Sequence, residues 1–130
     1  MRTETRLAVQ RFSMICALLL VAQIFTLSSV PFEIHEPWDK MWHFLAYSAL
    51  TLLLWIGTDG RRPVLAVAAV MLLGGMDELR QAFLPLRSAD SMDLLADLCA
   101  AIVTASALAF FTRGRPKPCA ESSPRSPRAT

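Results

Sequence analysis

Charged residues are scarce in this sequence, and their scarcity argues against a small soluble domain. Only 18% of the 130 residues are Asp, Glu, Lys or Arg, whereas 54% are hydrophobic. A soluble domain of this length buries only about two thirds of the surface that its unfolded chain exposes, so it needs a largely polar exterior. The composition therefore favours a protein whose exterior contacts lipid.

Cysteine is also scarce, and the three cysteines indicate neither a disulfide framework nor a metal motif. Cys16 and Cys99 lie inside apolar segments, while Cys119 lies in a C-terminal tail that we expect to be cytoplasmic, where thiols stay reduced. Their number is odd, and their spacing matches no metal-binding signature. The sequence by itself predicts no metal and no cofactor.

The sequence lacks the basic patch with interleaved aromatic residues that is typical of nucleic-acid binding. Its basic residues are dispersed in short segments, and the last of these, residues 113–130, is rich in Pro, Ser and Arg. Such a composition predicts a disordered tail. We expect no nucleic-acid partner.

Long apolar segments, in contrast, are abundant. A helix that crosses the hydrocarbon core of a bilayer needs about 20 residues. Four segments reach or approach this length, and they are residues 12–30, 38–57, 63–84 and 91–112. The sequence therefore predicts an all-α, polytopic membrane protein with a bundle of four transmembrane helices. Residues 1–11 are expected to form an N-terminal cytoplasmic tail.

Turn and capping residues mark the ends of these segments. Residues 58–60, Thr-Asp-Gly, predict a turn after the second segment, and Pro63 suits the first position of the third helix. Asp90, with Asp93 three residues later, predicts a cap and its third-position acid at the start of the fourth helix.

The first segment has an alternative interpretation as a cleaved signal peptide, because arginines precede it and small residues follow it. Its apolar run is longer than the about 7 to 15 residues of a signal core. Three further apolar segments are available to pack against it. We therefore favour a retained first helix.

The distribution of charge predicts the orientation, because cytoplasmic loops and tails are enriched in Lys and Arg. Ten of the 13 basic residues precede the first segment, separate the second from the third, or follow the fourth. Eight of the 11 acidic residues lie in or near the opposite, outer half. Both termini are therefore expected in the cytoplasm.

Three of the predicted helices carry a stripe of polar side chains near the outer end. At about 100° per residue, the members of each stripe lie on one side of their helix. The stripes are Lys40, His43 and Tyr47 on the second helix, Asp77, Glu78, Arg80 and Gln81 on the third, and Asp90, Asp93 and Asp97 on the fourth. Ionisable side chains at membrane depth are costly and usually face partners or a cavity. We expect the stripes to face one another in an outward-facing polar cleft.

This cleft is expected to contain more acidic than basic groups. Its three basic residues are Lys40, Arg80 and Arg87. Its six acidic residues are Asp39, Asp77, Glu78, Asp90, Asp93 and Asp97. Lys40 lies at a helix N-terminus, where the helix dipole disfavours a cation, so we expect it to pair with a carboxylate.

Each of these residues also has a purely structural interpretation. Lys40 can be interpreted as a lysine whose side chain extends to the membrane interface. His43 can be interpreted as a residue that forms a hydrogen bond between two helices. Asp77 and Arg80 fit a structural ion pair one turn apart. Asp90 fits a helix cap. The remaining polar residues fit interhelical hydrogen bonding, and they are Glu78, Gln81, Asp93 and Asp97.

The pattern resembles that of the VanZ-like family of bacterial membrane proteins, over about residues 12–112. It reads Asp39-Lys40-x-x-His43-x-x-x-Tyr47, then Asp77-Glu78-x-x-Gln81-x-x-x-Pro85-x-Arg87-x-x-Asp90-x-x-Asp93-x-x-x-Asp97. The resemblance implies a functional cluster of Lys40, His43, Tyr47, Glu78, Gln81, Arg87, Asp93 and Asp97. We add Asp39, Asp77, Arg80 and Asp90 as supporting residues. The chain departs from the family at Asp97, where relatives carry asparagine, and at Ala100, where they carry glycine.

The resemblance also implies a location in the cytoplasmic (inner) membrane of a bacterium. The family's namesake is associated with low-level resistance to the glycopeptide teicoplanin, which implies a role in the cell envelope. We therefore expect a cleft that binds a lipid headgroup or an envelope precursor, with Lys40, Arg87 and His43 available to contact phosphate. Membrane lipids are the expected partners, and the oligomeric state stays open, a homo-oligomer included.

Two other functions fit the polar stripes less well. In a small membrane enzyme acting on lipid-linked substrates, His43 with Glu78 or Asp93 would act as an acid/base pair or as metal ligands. No nucleophile motif accompanies these residues. In a proton-coupled carrier, intramembrane acids would relay protons, but the inner halves of the predicted helices carry no charge.

The predicted orientation can be tested with reporter fusions. A reporter fused after Gly60 should report a cytoplasmic position, and one fused after Arg87 should report a position outside. The reason is that the basic residues keep the fusion point after Gly60 in the cytoplasm. The reverse pattern would place the polar cleft on the cytoplasmic side and overturn the assignment.

Overall fold

The structure, a computed structural model, describes residues 2–29, 38–84 and 90–113. Four α-helices make up most of these residues, and they are α1 (Arg2–Leu27), α2 (Trp38–Gly57), α3 (Pro63–Gln81) and α4 (Ser91–Thr112). The described ranges contain no strand, so the predicted all-α class is confirmed. The predictions for Arg87 and for a disordered tail after Arg113 concern residues outside these ranges.

The first helix differs from its prediction at both ends. It begins at Arg2 rather than at residue 12, so the segment expected as an N-terminal tail is helical, and it ends at Leu27 rather than at residue 30. The early start has a local cause, since residues 2–11 contain several strong helix formers and Glu4 lies in the first turn, near the positive end of the helix dipole. The predicted start at residue 12 was based only on where the apolar segment begins, and it left out the helix propensity of residues 2–11.

The other helices lie close to their expected positions. α2 and α4 have the predicted bounds, and Pro63 occupies the start of α3. α3 ends at Gln81, three residues earlier than expected, because the chain tightens there. The N–H of Phe83 donates to the Arg80 carbonyl and that of Leu84 to the Gln81 carbonyl, over three residues instead of four.

The helix α2 lies at the centre of the bundle and packs against α1, α3 and α4, and α3 also packs against α4. The Ser13 hydroxyl, near the middle of α1, donates to the Leu53 carbonyl, toward the end of α2, at 2.7 Å. Arg80, at the end of α3, donates to the Phe25 carbonyl near the end of α1. Neighbours in sequence therefore run antiparallel. The ends of α1 and α3 and the beginnings of α2 and α4 lie together at one end of the bundle.

The turn between α2 and α3 lies at the opposite end. Asp59 and Gly60 have φ angles of 54° and 65°, a left-handed conformation that glycine and aspartate tolerate better than most residues. The Gly60 N–H donates to the Trp55 carbonyl at 2.9 Å. The predicted turn at residues 58–60 is thus present, and it separates Arg61 from the polar stripes by the length of α2.

Small residues dominate the interior of the bundle. The buried apolar cluster consists of Ala17, Tyr47, Leu50, Val70, Ala100 and Ala101. Small side chains let helix backbones approach closely, which is how helices associate without a hydrophobic driving force. The interior accommodates the methyl group of Ala100 without exposing it, so this departure from the family pattern is compatible with close packing.

Large apolar side chains, in contrast, face outward on every helix. Leu18, Trp42, Val64 and Phe111, one on each helix, are 71, 57, 80 and 77% exposed. Contiguous apolar surface is rare on soluble monomers. By length and composition α1 and α4 can cross a membrane, and only 11 and 22% of their most apolar stretches is buried. The fold thus has polar residues inside and apolar residues outside.

Candidate functional site

The polar stripes of α2, α3 and α4 meet at the shared end of the bundle, where the sequence predicts a cleft. Direct contacts join each helix to the next. Lys40 on α2 and Asp90 at the cap of α4 lie 3.0 Å apart, and Glu78 on α3 accepts a hydrogen bond from the Asp90 N–H at 2.8 Å. We call this group of side chains the polar cluster, and it contains Asp39, Lys40, His43, Tyr47, Glu78, Asp90, Asp93 and Asp97.

The carboxylate partner expected for Lys40 is Asp90. The Lys40 ammonium also lies 3.7 Å from Oδ1 of Asp93, one turn further along α4. Asp90 at the same time caps α4, since its side chain accepts from the Met92 N–H at 2.9 Å. This backbone hydrogen bond, with the Lys40 ion pair second, holds the pKa of Asp90 below its usual range. The capping and ion-pair interpretations of Asp90 both hold.

His43 lies between two carboxylates of α4. Its Nδ1 donates to Oδ1 of Asp97 at 3.2 Å, and its Nε2 lies 4.0 Å from Oδ2 of Asp93. The ring stacks on Tyr47, one turn below, with centroids 6.0 Å apart and planes inclined by 12°. The imidazole is therefore fixed on one side by a hydrogen bond and on its face by an aromatic ring, while Nε2 faces Asp93.

Glu78 takes a role that the sequence assigns to Asp93. In a capping box, the acid three residues after the cap would accept from the cap's own N–H. Here Glu78 of α3 accepts from the Asp90 N–H instead. The prediction for Asp93 is therefore wrong in this detail. The consequence is that the Asp93 carboxylate is directed toward Lys40 and His43, inside the polar cluster.

Asp77, Arg80 and Gln81 form a separate group that attaches α3 to the end of α1. The Arg80 guanidinium donates to the Phe25 carbonyl at 2.6 Å and pairs with Asp77 at 3.4 Å, in agreement with the structural interpretation of that pair. The Gln81 amide donates to Asp77 at 3.0 Å. Gln81 was expected in the functional cluster, but its amide is committed to this group.

Two serines that were not among the predicted site residues complete this attachment. Ser28 donates to Oδ1 of Asp77 at 2.6 Å and accepts from Arg80, and Ser29 accepts from Arg80 at 2.5 Å. The available signal was a pair of hydroxyl residues at the end of an apolar segment, at the depth of the Asp77 and Arg80 stripe. In the sequence, these serines belong to the small residues that fit a signal-peptide cleavage site.

Several buried oxygen atoms of the polar cluster have no hydrogen-bond partner among the described residues. They are the Tyr47 hydroxyl, Oε1 of Glu78, Oδ1 of Asp93 and Oδ2 of Asp97. Leaving a buried acceptor unpaired costs about 1 to 3 kcal/mol, and more for a charged group. Three of these atoms belong to carboxyl groups, so the cluster has unused capacity to accept hydrogen bonds or bind a cation.

Gly74 makes room for one of these atoms. A Cβ added at Gly74 would lie 2.6 Å from Oδ2 of Asp97, closer than real contacts allow, whereas one added at Gly75 would have nothing within 4 Å. Only Gly74 contacts the polar cluster, and this difference depends on the rotation of α3.

Comparison with models of protein families, with curated proteins and with solved structures finds no match to this chain. The resemblance to the VanZ-like family therefore stays a prediction from the sequence pattern.

The two adjacent glycines offer a matched test of the Asp97 position. Gly74→Ala should push the Asp97 carboxylate away from its place beside His43 and lower the free energy of unfolding by about 1 to 3 kcal/mol, the usual cost of overpacking. Gly75→Ala should change it by less than about 0.5 kcal/mol. Thermal unfolding of the detergent-solubilised variants measures both, and equal losses would contradict the contact between Gly74 and Asp97.

Proposed function

We propose that this protein is a VanZ-like, multi-pass protein of the bacterial cytoplasmic membrane that binds a lipid headgroup or an envelope precursor in its polar cluster. Its role would lie in the cell envelope, glycopeptide susceptibility included. One observation carries the proposal. Carboxyl groups from two helices, α3 and α4, present unpaired oxygen atoms toward a shared buried cluster at one end of an otherwise apolar bundle.

The membrane part of the proposal is supported by the way in which the helices pack. α1 and α4 can cross a membrane by length and composition, and α2 packs against both of them and against α3. Helices of 20 and 19 residues such as α2 and α3 are about 30 Å long, the thickness of the hydrocarbon core. Because the four helices pack side by side, all of them would lie within the hydrocarbon core of the bilayer.

The chemistry of the unpaired atoms indicates the kind of ligand. Carboxylate oxygens accept hydrogen bonds, so they suit an ammonium, hydroxyl or amide donor on the ligand. Lys40 already pairs with Asp90, and Arg80 contacts Asp77 and α1. The described residues therefore favour a ligand that offers amino, hydroxyl or amide groups over one recognised mainly through phosphate.

The position of the polar cluster supports access from one side of the membrane. Asp90 and Lys40 lie at the ends of their helices, and their side chains are 37 and 29% exposed, while Asp93 and Asp97 lie deeper and are buried. A headgroup that enters between the beginnings of α2 and α4 would meet Lys40 and Asp90 first and the unpaired carboxyl oxygens next.

The proposal can be tested by the lipids that co-purify with the protein. Glu78→Gln and Asp93→Asn each replace a carboxyl oxygen by an amide while keeping the side-chain shape, so they should reduce the ligand retained in mild detergent several-fold. Asp59→Asn serves as the control, because it makes the same change at the opposite end of the bundle, where asparagine tolerates the left-handed backbone.

Mass spectrometry of the bound lipids gives the readout, on samples first shown to be folded and monodisperse. The proposal predicts one lipid or precursor enriched over the bulk membrane in the wild type and in Asp59→Asn, and depleted in the other two variants. Identical lipid profiles in all four proteins would contradict it.

A further inference from the structure

Three potential metal ligands come together at the beginnings of α2 and α4. Asp39 and His43 lie one turn apart on α2, and Asp93 reaches them from α4. One ligand atom from each residue can be chosen so that all three lie within 4.8 Å of one another. The sequence suggests His43 and Asp93 as metal ligands only in the alternative of a membrane enzyme, and it does not join Asp39 to them.

The orientation of His43 is that of a metal ligand. Its Nδ1 is bonded to Oδ1 of Asp97, so Nε2 is the atom that faces Asp93. In metal sites, a ligating histidine almost always donates its other ring N–H to a carboxylate or carbonyl, which fixes the ring and makes it a better ligand. Asp97 would be this orienting carboxylate.

Asp93 provides an independent observation. Its side chain is only 6% exposed, its Oδ2 lies 4.0 Å from Nε2 of His43, and its Oδ1 has no hydrogen-bond partner among the described residues. The Lys40 ammonium lies 3.7 Å from that Oδ1, beyond hydrogen-bond distance, so the oxygen keeps the capacity to bind a closer cation or donor. The other oxygen of the same carboxylate, Oδ2, faces Nε2 of His43.

We propose that Asp39, His43 and Asp93 bind a divalent transition-metal ion, with Asp97 as the positioning residue behind His43. One imidazole nitrogen and two carboxylate oxygens form a donor set that suits Zn²⁺, with Mn²⁺ binding more weakly at such a site. Bonds of about 2.0 to 2.2 Å require the three side chains to close by roughly an ångström. A coordination position would remain open for water or for a ligand group.

Lys40 adds a property that distinguishes this site from a generic acidic surface. Its ammonium lies 3.7 Å from Oδ1 of Asp93, so it competes with the metal for the same carboxylate. Like charges at this range repel more strongly in a partly buried site than in water. Removing the charge of Lys40 should therefore strengthen metal binding, although it removes an ion pair.

The site can be tested by calorimetric titration of chelator-treated, detergent-solubilised full-length protein with Zn²⁺ alone and with Mn²⁺ alone. We expect one Zn²⁺ per chain, bound more tightly than Mn²⁺. His43→Gln and Asp93→Asn should weaken Zn²⁺ binding at least tenfold, and Asp97→Ala about 10- to 100-fold. Lys40→Met should strengthen it several-fold, and Asp59→Asn should leave it unchanged.

Absence of stoichiometric Zn²⁺ binding by the wild type would overturn the inference. Equal affinity in the wild type, His43→Gln and Asp93→Asn would also overturn it, as would weaker binding by Lys40→Met. That last variant tests for a gain, which a misfolded protein cannot produce. The inference does not rest on the proposed lipid ligand, because the titration uses metal alone. Lipid retention by metal-free protein, measured separately, distinguishes failure of one proposal from failure of the other.

Discussion

Carboxyl groups buried between helices need partners, and this requirement determines how the beginnings of α2 and α4 pack against the end of α3. Taking an ionised carboxylate out of water costs several kcal/mol unless hydrogen bonds and opposite charges replace the lost hydration. The His43–Asp97 hydrogen bond is the central case, since Asp97 is fully buried and contacts both α2 and the Gly74 position of α3. Rotating α2 or α4 by one residue would separate the pair and leave a buried charge uncompensated.

The same requirement gives the bundle two polar groups with different roles. Arg80, Asp77 and the hydroxyls of Ser28 and Ser29 bond to one another and attach α1 to α3, which makes them structural, although Nε of Arg80 has no hydrogen-bond partner among the described residues. The polar cluster is incompletely satisfied, with unpaired oxygens on α3 and α4. Unsatisfied buried groups are few in native proteins, and a bound ion, an ordered water, strain or a catalytic role accounts for them. The apolar exterior then explains how such a bundle can lie in a membrane, and the proposed functions follow from the incomplete cluster.

Much of this arrangement could be predicted from the sequence, because the length of the apolar segments and the positions of the polar residues constrain it. Apolar length and the Asp90 signal predicted the bounds of α2 and α4, while Gly60 and Pro63 predicted the turn after α2 and the start of α3. The level of the polar stripes predicted that they would meet. Partner assignments could not be predicted, because they depend on helix rotation, which the sequence does not encode locally. For this reason, Glu78 and not Asp93 accepts the hydrogen bond from the Asp90 N–H at the start of α4, and the Gln81 amide donates to Asp77.

The most direct test of the inward-facing polar cluster is a double-mutant cycle on His43 and Asp97, with stability measured by unfolding in detergent micelles. His43→Phe should leave a buried carboxylate unpaired, and Asp97→Ala should leave the imidazole without its acceptor. If the two side chains meet as described, the variant with both changes should be more stable than the sum of the single losses predicts, with a coupling energy of about 1 to 3 kcal/mol. Additive losses, with a coupling energy of zero within error, would contradict the account.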